Sequence, residues 1–304
     1  MKTAKLNEHS CISAYYQPQR SASDWVDIED EYPHLKPPYP LSTYPYVGRR
    51  IRIVYPRINV FYCGIPKTSH SQLIAFFCLA SLNATERQHF DSSHPYLGYT
   101  NQLCKATRAY APESVNQSAI MLKIWSDPLW RKIAVVRDPL ARFVSAYLDI
   151  CHRRNRCHNC SPNNVHCFAR KNYQAMAFLS QNKIYPVTGN SLFDHLFPQA
   201  WYCEFTERKF DKIIKYSKRI ESLAYIRREL LNFGFDYNIT MSGWGSNRTQ
   251  PFMSIVTYHA SNLRVVKNVL SEIKRNTKTL EYIRRTYSID YDYFNYSWAE
   301  SLQN

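Results

Sequence analysis

The chain has 304 residues, 45% hydrophobic and 21% charged, so it can bury a sizeable core and falls in the globular rather than the disordered range. Its 39 Lys and Arg against 24 Asp and Glu leave a net charge of +15, which favours polyanionic partners: nucleic acid, acidic lipid, a sulfated or carboxylated glycan, or a multiply phosphorylated nucleotide. The basic residues are spread along helix-like segments with acids between them, which weighs against a nucleic-acid module.

In chain order, residues 1–50 are rich in Pro, Tyr and Ser ("HLKPPYPLSTYPY") and predict an extended arm lying on a domain that runs from 51 to 304. The opening stretch has neither the short apolar core of a signal peptide nor a run of about 20 apolar residues, so no leader or membrane anchor is visible. "INVFYCGI" (58–65), between Pro56 and Pro66, predicts a buried strand. "SQLIAFFCLASLN" follows with Leu73, Ile74, Phe77 and Cys78 at helical spacing. Between them, "IPKTSHS" gathers an ammonium, several hydroxyls and backbone amides at a helix start, the arrangement an anion site requires. It is not a Walker A loop, because Pro66 stands where that motif places a glycine before its lysine.

A second unit repeats the pattern. "KIAVV" (132–136) predicts a strand, Asp138 a helix cap and Pro139 its first turn, with Leu140, Phe143, Val144, Tyr147 and Leu148 on one face. Arg137 stands at the strand end, and Arg142 and Ser145, three apart, share a helical face suited to a second phosphate. Two strand-to-helix units imply an α/β fold, a P-loop-like parallel sheet flanked by helices, with its functional edge at the strand C-termini.

Residues 151–200 predict a Cys-rich, loop-rich insertion. Cys151, Cys157, Cys160 and Cys167 hold a single C-x-x-C pair with His152, His158 and His166 scattered between, which favours disulfides in an oxidising compartment over zinc. Three pairings of these four are open, and the total of nine cysteines leaves at least one thiol over. "WYCEF" (201–205) reads as a strand and "TERKFDKIIKYSKRIESLAYIRRELLNFG" as one or two amphipathic helices ending at Gly234. A last helical region spans about 261–286, and the chain closes on "YSIDYDYFNY". Sequons at Asn83, Asn116, Asn238, Asn247 and Asn295 add weak support for a luminal protein.

"IPKTSHS" followed by "VVRDPLARFVSAY" resembles the paired donor motifs of sulfotransferases that use 3′-phosphoadenosine 5′-phosphosulfate (PAPS). With the Cys-rich stretch, "WYCEF" and "YSIDYDYF", the likeness is closest to carbohydrate sulfotransferases of the chondroitin and heparan 2-O kind, in their nematode branch, and covers about residues 55–296. The resemblance implies that Lys67, Thr68, Ser69, Ser71 and Gln72 hold the 5′-phosphosulfate, that Arg137 and Ser145 hold the 3′-phosphate, and that Arg142 supports the loop. It also implies an acidic glycan acceptor such as chondroitin, a nucleotide donor, no metal, no nucleic acid and a Golgi setting, while the sequence itself predicts no membrane span in this chain. Lys67 is the expected stabiliser of charge on the leaving oxygen. For the base, which relatives supply as His or Glu, the candidates are His94, Glu86, His89 and His70. His94 is chosen because "FDSSHPYLGY" is loop-like and follows the first helix; His259 is a further contact candidate. The chain departs from the pattern at His70, where relatives carry a small or hydroxyl residue, and in lacking their N-terminal anchor. A non-catalytic nucleotide- or glycan-binding relative and a basic, zinc-containing nucleic-acid-binding protein are the alternative readings.

Overall fold

The computed structural model describes residues 52–83, 85–86, 102–110, 119–157, 159–182, 195–205, 208–216, 219–235 and 263–303, and the structural statements below concern these. The arm 1–50 lies outside them, as do His89, His94, His259 and Cys11. Strands β1 (Arg52–Tyr55) and β2 (Val60–Cys63) form a hairpin around a 3-10 turn at Pro56–Ile58, with Asn59 in the left-handed region at φ 49°. Helix α1 (His70–Ser81) follows β2, then α2 (Gln102–Thr107), the two-residue β3 (Ala109–Tyr110) and α3 (Ala119–Ser126). Strand β4 (Arg131–Arg137) leads into α4 (Pro139–Tyr147) and a π-helical turn at Leu148–Arg153. Next come α5 (Val165–Asn182), β5 (Lys212–Tyr216) and α6 (Arg219–Asn232). Helices α7 (Leu263–Arg275), α8 (Thr277–Thr286), α9 (Ser288–Phe294) and α10 (Trp298–Gln303) close the chain.

The sheet order is β3-β1-β2-β4-β5. Its working half, β2-β4-β5, is parallel, and β1 and β3 add an antiparallel margin that the sequence does not announce. Strand periodicity divides the core. Ile133 and Val135 face α1 and α6, where Phe76, Phe77, Ile226 and Leu230 pack; Ala134 and Val136 face α3 and α5, against Met121, Ile124 and Met176. A further apolar cluster, built on Phe143, Tyr147, Phe168, Ile273 and Tyr287, joins α4 and α5 to the C-terminal helices.

The capping expectation at α4 holds. Asp138 accepts from the Ala141 N–H at 2.8 Å with Pro139 in the first turn, and the Ser301 hydroxyl donates to its second carboxylate oxygen, which ties α10 to the same cap. At the far end of α6, Gly234 adopts φ +86° and its N–H meets the Leu231 carbonyl at 2.9 Å, ending the helix where expected.

Three expectations are corrected. "WYCEF" is not a strand: Gln199–Trp201 is a 3-10 turn, and Cys203 and Glu204 are consecutive left-handed residues at φ 52° and 56°, incompatible with extended pairing. The strand is "KIIKY", which helical periodicity absorbs into the next helix; its β-branched pair splits between the faces, Ile214 on the α1–α6 side and Ile213 on the other. The insertion is less loop-rich than its composition suggests, since α5 runs for 18 residues.

Of the three pairings open for the clustered cysteines, the structure has Cys151–Cys157 and Cys160–Cys167. Cys63–Cys203 and Cys78–Cys104 complete a set that uses all eight described cysteines. No group of three or more potential metal ligands occurs among the described residues, and no described helix is long and apolar enough to cross a membrane.

The Cys63–Cys203 bridge joins residues 140 apart in sequence and Cys160–Cys167 only 7 apart. In the chain-entropy account the long closure contributes about 5 kcal/mol and the short one about half of that. Replacing both Cys63 and Cys203 by Ala should therefore lower the guanidinium midpoint more than replacing Cys160 and Cys167; equal shifts would show that loop closure is not the controlling effect.

Candidate active site

Strand β2 delivers the chain to Gly64, where a Cβ would come within 2.1 Å of the His70 ring, so a side chain here displaces that imidazole. His70 lies over Gly64 and stacks on Tyr62 with ring centroids 5.9 Å apart. Burial, reinforced by Arg108, drives its pKa down to about 3. His70 is thus a neutral packing residue of the loop, and the small residue that the resemblance expects at its position is matched by a small residue at Gly64 instead.

The loop from Gly64 to Ser69 turns without further glycine. Lys67 at φ 68° and Ser69 at φ 62° are left-handed, a conformation that costs a residue with a Cβ about 1–2 kcal/mol. Carbonyl partners offset that strain. The Thr68 hydroxyl, fully buried, donates to Ile65 O at 2.7 Å; Arg142 Nε donates to Pro66 O at 3.0 Å; Arg137 Nη1 donates to Lys67 O at 3.4 Å. The two strand ends singled out in the sequence therefore meet directly. Ser69 caps α1 through its backbone carbonyl, which accepts from Gln72 and Leu73, while Ser71 and Gln72 lie half-buried on the first turn. Ser145 is half-buried on α4.

Arg142 is placed differently from Arg137. Only 1% of it is exposed, and beyond Pro66 its guanidinium serves Phe197 O at 2.6 Å and the Tyr202 hydroxyl at 3.5 Å. It is a strut beneath the loop, the supporting part of the role assigned to it. Thr68 likewise shapes the loop from within.

Lys67 Nζ pairs with Asp149, which comes from the π-helical turn and also receives Arg153 and Arg154. Burial pulls the Lys67 ammonium down to about 8 against the attraction of Asp149. For Asp149 burial acts upward, but Lys67, Arg153 and Arg154 prevail and hold the carboxyl well below the usual range. Glu86 does not belong to this site. It pairs with Arg57 at 2.7 Å and exchanges hydrogen bonds with Asn83; Arg57 lies in the turn that precedes β2, at the opposite end of that strand from Lys67.

Sequence periodicity misses the segment from His195 to Ala200, which closes the site. Tyr287 donates to Leu196 O at 2.9 Å, and Asp290, fully buried in α9, accepts from the amides of Gln199 and Ala200 at 2.8 Å each. The Gln199 side chain in turn pairs both ways with the Arg137 backbone, at 2.8 and 2.7 Å. Burial pushes the Asp290 carboxyl up to about 6 despite Arg142 and those amides. The advance signal for this network is Asp290, one of two aspartates inside the aromatic-rich "YSIDYDYF".

A family model described as "Sulfotransferase family" matches residues 52–297, a span that contains both strand ends, the Cys151–Cys157 and Cys160–Cys167 bridges and α9. The chain belongs to the sulfotransferase family. Among curated relatives, the Caenorhabditis elegans protein named "Carbohydrate sulfotransferase chst-1" is 30% identical over 179 residues, 55% of this chain and 53% of that one. The C. elegans "Putative sulfotransferase vep-2" is 25% identical over 178 residues, 56% and 53% of the two chains. The chain spans about half the length of these curated relatives. No solved structure matches it significantly.

Replacing Asp290 by Ala would leave two buried amides without acceptors, at about 1–3 kcal/mol each. Denaturant titration should show D290A destabilised by roughly 2–6 kcal/mol, and D290N destabilised as well, because its amide nitrogen would face one of those N–H donors. A shift below about 0.5 kcal/mol would remove the anchoring role.

Proposed function

We propose that this sulfotransferase moves the sulfuryl group of PAPS to a hydroxyl of a carbohydrate, with an acidic glycosaminoglycan such as chondroitin as the acceptor class. The observation that carries the reading is the hydrogen bond from Arg137 Nη1 to Lys67 O, which makes the lysine loop and the arginine strand end one surface at the C-terminal edge of a parallel sheet. That is where an α/β fold binds phosphorylated ligands, and a single nucleotide with phosphates on both ribose ends suits two adjoining cationic mouths. The relative named as a carbohydrate sulfotransferase supports the acceptor class, and the charge of +15 suits both an acidic glycan and the donor. Four disulfides support folding in an oxidising compartment, consistent with a secretory-pathway setting.

In this reading Lys67, Ser69, Ser71 and Gln72, with the first turn of α1, receive the 5′-phosphosulfate, and Arg137 with Ser145 receives the 3′-phosphate. The acceptor oxygen attacks sulfur while the bond from sulfur to the 5′-phosphate oxygen breaks. Negative charge gathers on that leaving oxygen, and the Lys67 ammonium stabilises it. Arg142 and Thr68 act by holding the loop's two left-handed residues in place.

Purified protein given labelled PAPS with chondroitin or heparan chains should label the glycan. Lys67→Ala should lower the rate about 10²–10³-fold at unchanged thermal stability. Absence of both transfer and nucleotide binding in the wild type overturns the assignment, and preserved turnover in K67A removes Lys67 from the mechanism.

The lowered lysine pKa gives a signed expectation. With Lys67 near 8, the ligand-free site is mostly cationic at pH 7 and mostly neutral at pH 9. An anion prefers the protonated form, so affinity for 3′-phosphoadenosine 5′-phosphate (PAP) should fall about tenfold from pH 7 to pH 9 by calorimetry, and Lys67→Met should flatten the profile. An unchanged slope in K67M would assign the effect to another group.

A further inference from the structure

Sulfuryl transfer needs a group to take the acceptor's proton, and the described part of the site contains an imidazole that the motifs do not mark. His195 precedes the anchored run Leu196–Ala200. Its chain neighbours are fixed by Tyr287 at Leu196 O, by Arg142 at Phe197 O and by Asp290 at the Gln199 amide. The same Arg142 guanidinium reaches Pro66 O, one residue before Lys67, so the fold brings His195 to the lysine loop by two hydrogen bonds through one side chain. The groups that act on it electrostatically are Lys67, Asp149, Arg154 and Arg142, drawn from the loop, the π-helical turn and α4.

A histidine kept for structure normally spends its ring nitrogens on hydrogen bonds. His195 does not. It is half-buried, and its Nδ1 is buried without a hydrogen-bond partner among the described residues. An imidazole with unused capacity, held in place by its neighbours' backbone beside the expected sulfuryl-binding lysine, is placed for a ligand.

We propose that His195 is the general base: the acceptor hydroxyl oxygen forms its bond to sulfur, the hydroxyl proton passes to His195 Nε2, and the sulfur–oxygen bond to the 5′-phosphate breaks with its electron pair going to that oxygen. The assignment rests on the proposed sulfotransfer reaction and replaces the sequence-based choice of His94. Electrostatics explain how the base is switched on. Without ligand, burial, and then Lys67, Arg154 and Arg142 against the single carboxylate of Asp149, bring the imidazole down to about 3 and keep it neutral. Donor phosphates and sulfate offset those cations, so the proton affinity of His195 rises when the donor is bound.

The test uses the full chain and two readouts. His195→Ala and His195→Gln should lower kcat about 10²–10³-fold while the Kd for PAP stays within threefold of wild type, and added imidazole should restore part of the H195A rate. In protein carrying ¹³C-labelled histidine, the ring signal that disappears in H195Q should titrate at a pH at least one unit higher with PAP bound than without. His94→Ala, assayed in parallel, should lose less than tenfold. Turnover of H195A within threefold of wild type, an unmoved titration, or a large loss confined to H94A overturns the assignment and leaves the sulfotransfer reading standing. Loss of PAP binding in both His195 variants makes the residue a packing element and also overturns it. A wild-type protein that neither transfers sulfate nor binds PAP removes the reaction and this base together.

Discussion

Arg142 brings a permanent positive charge to a place where 1% of it meets solvent, and the site depends on how that charge is satisfied. A buried guanidinium persists only if oxygen acceptors replace its water. Pro66 and Phe197 supply carbonyls and Tyr202 a hydroxyl, and these come from two stretches of chain that lie on either side of α4 in sequence. One desolvated cation thus fixes the lysine loop relative to the segment that carries His195. The Cys63–Cys203 bridge ties the end of β2 to the same segment covalently. Two left-handed residues with side chains, Lys67 and Ser69, are sustained where a glycine-rich loop would turn without strain.

This explains what could be read from sequence and what could not. Units of strand, turn and helix are local, so the first two came out of apolar spacing, including the Asp138 cap and the Pro139 start. Lys67 and Arg137 could be named because each stands at a strand end, and the resemblance linked them across 70 residues. "KIIKY" reads as helix in the sequence because its two lysines and adjacent isoleucines fit a helical face as well as a strand, and only pairing with β4 decides between them. The Cys63–Cys203 and Cys78–Cys104 bridges leave no local trace, since partner choice belongs to the folded sheet.

The proposed base shows the same limit more sharply. The choice of His94, which lies outside the described residues, rests on loop composition, a property of its immediate neighbours. His195 is brought to Lys67 by Arg142, by Tyr287 and by Asp290, which lies 91 residues from the Gln199 amide it accepts from. None of these contacts leaves a period in the sequence. Glu86, by contrast, fits a base by residue type and is removed by geometry alone, paired with Arg57 at the other end of β2.

Charge balance around Lys67 links the resting structure to the proposed reaction. Asp149 is one carboxylate facing Lys67, Arg153 and Arg154, so it keeps the lysine partly charged without neutralising the group. A second carboxylate here would hold Lys67 fully protonated but would repel a phosphosulfate. With no carboxylate, burial and two neighbouring arginines would lower the proton affinity of the lysine unopposed. A single acid between three bases satisfies both requirements: it preserves a cation in a desolvated site and leaves a positive excess that only an anionic ligand can complete. Burial, reinforced by the same excess, keeps His195 neutral, and in the proposed reaction the ligand's own charge is what makes proton acceptance there favourable.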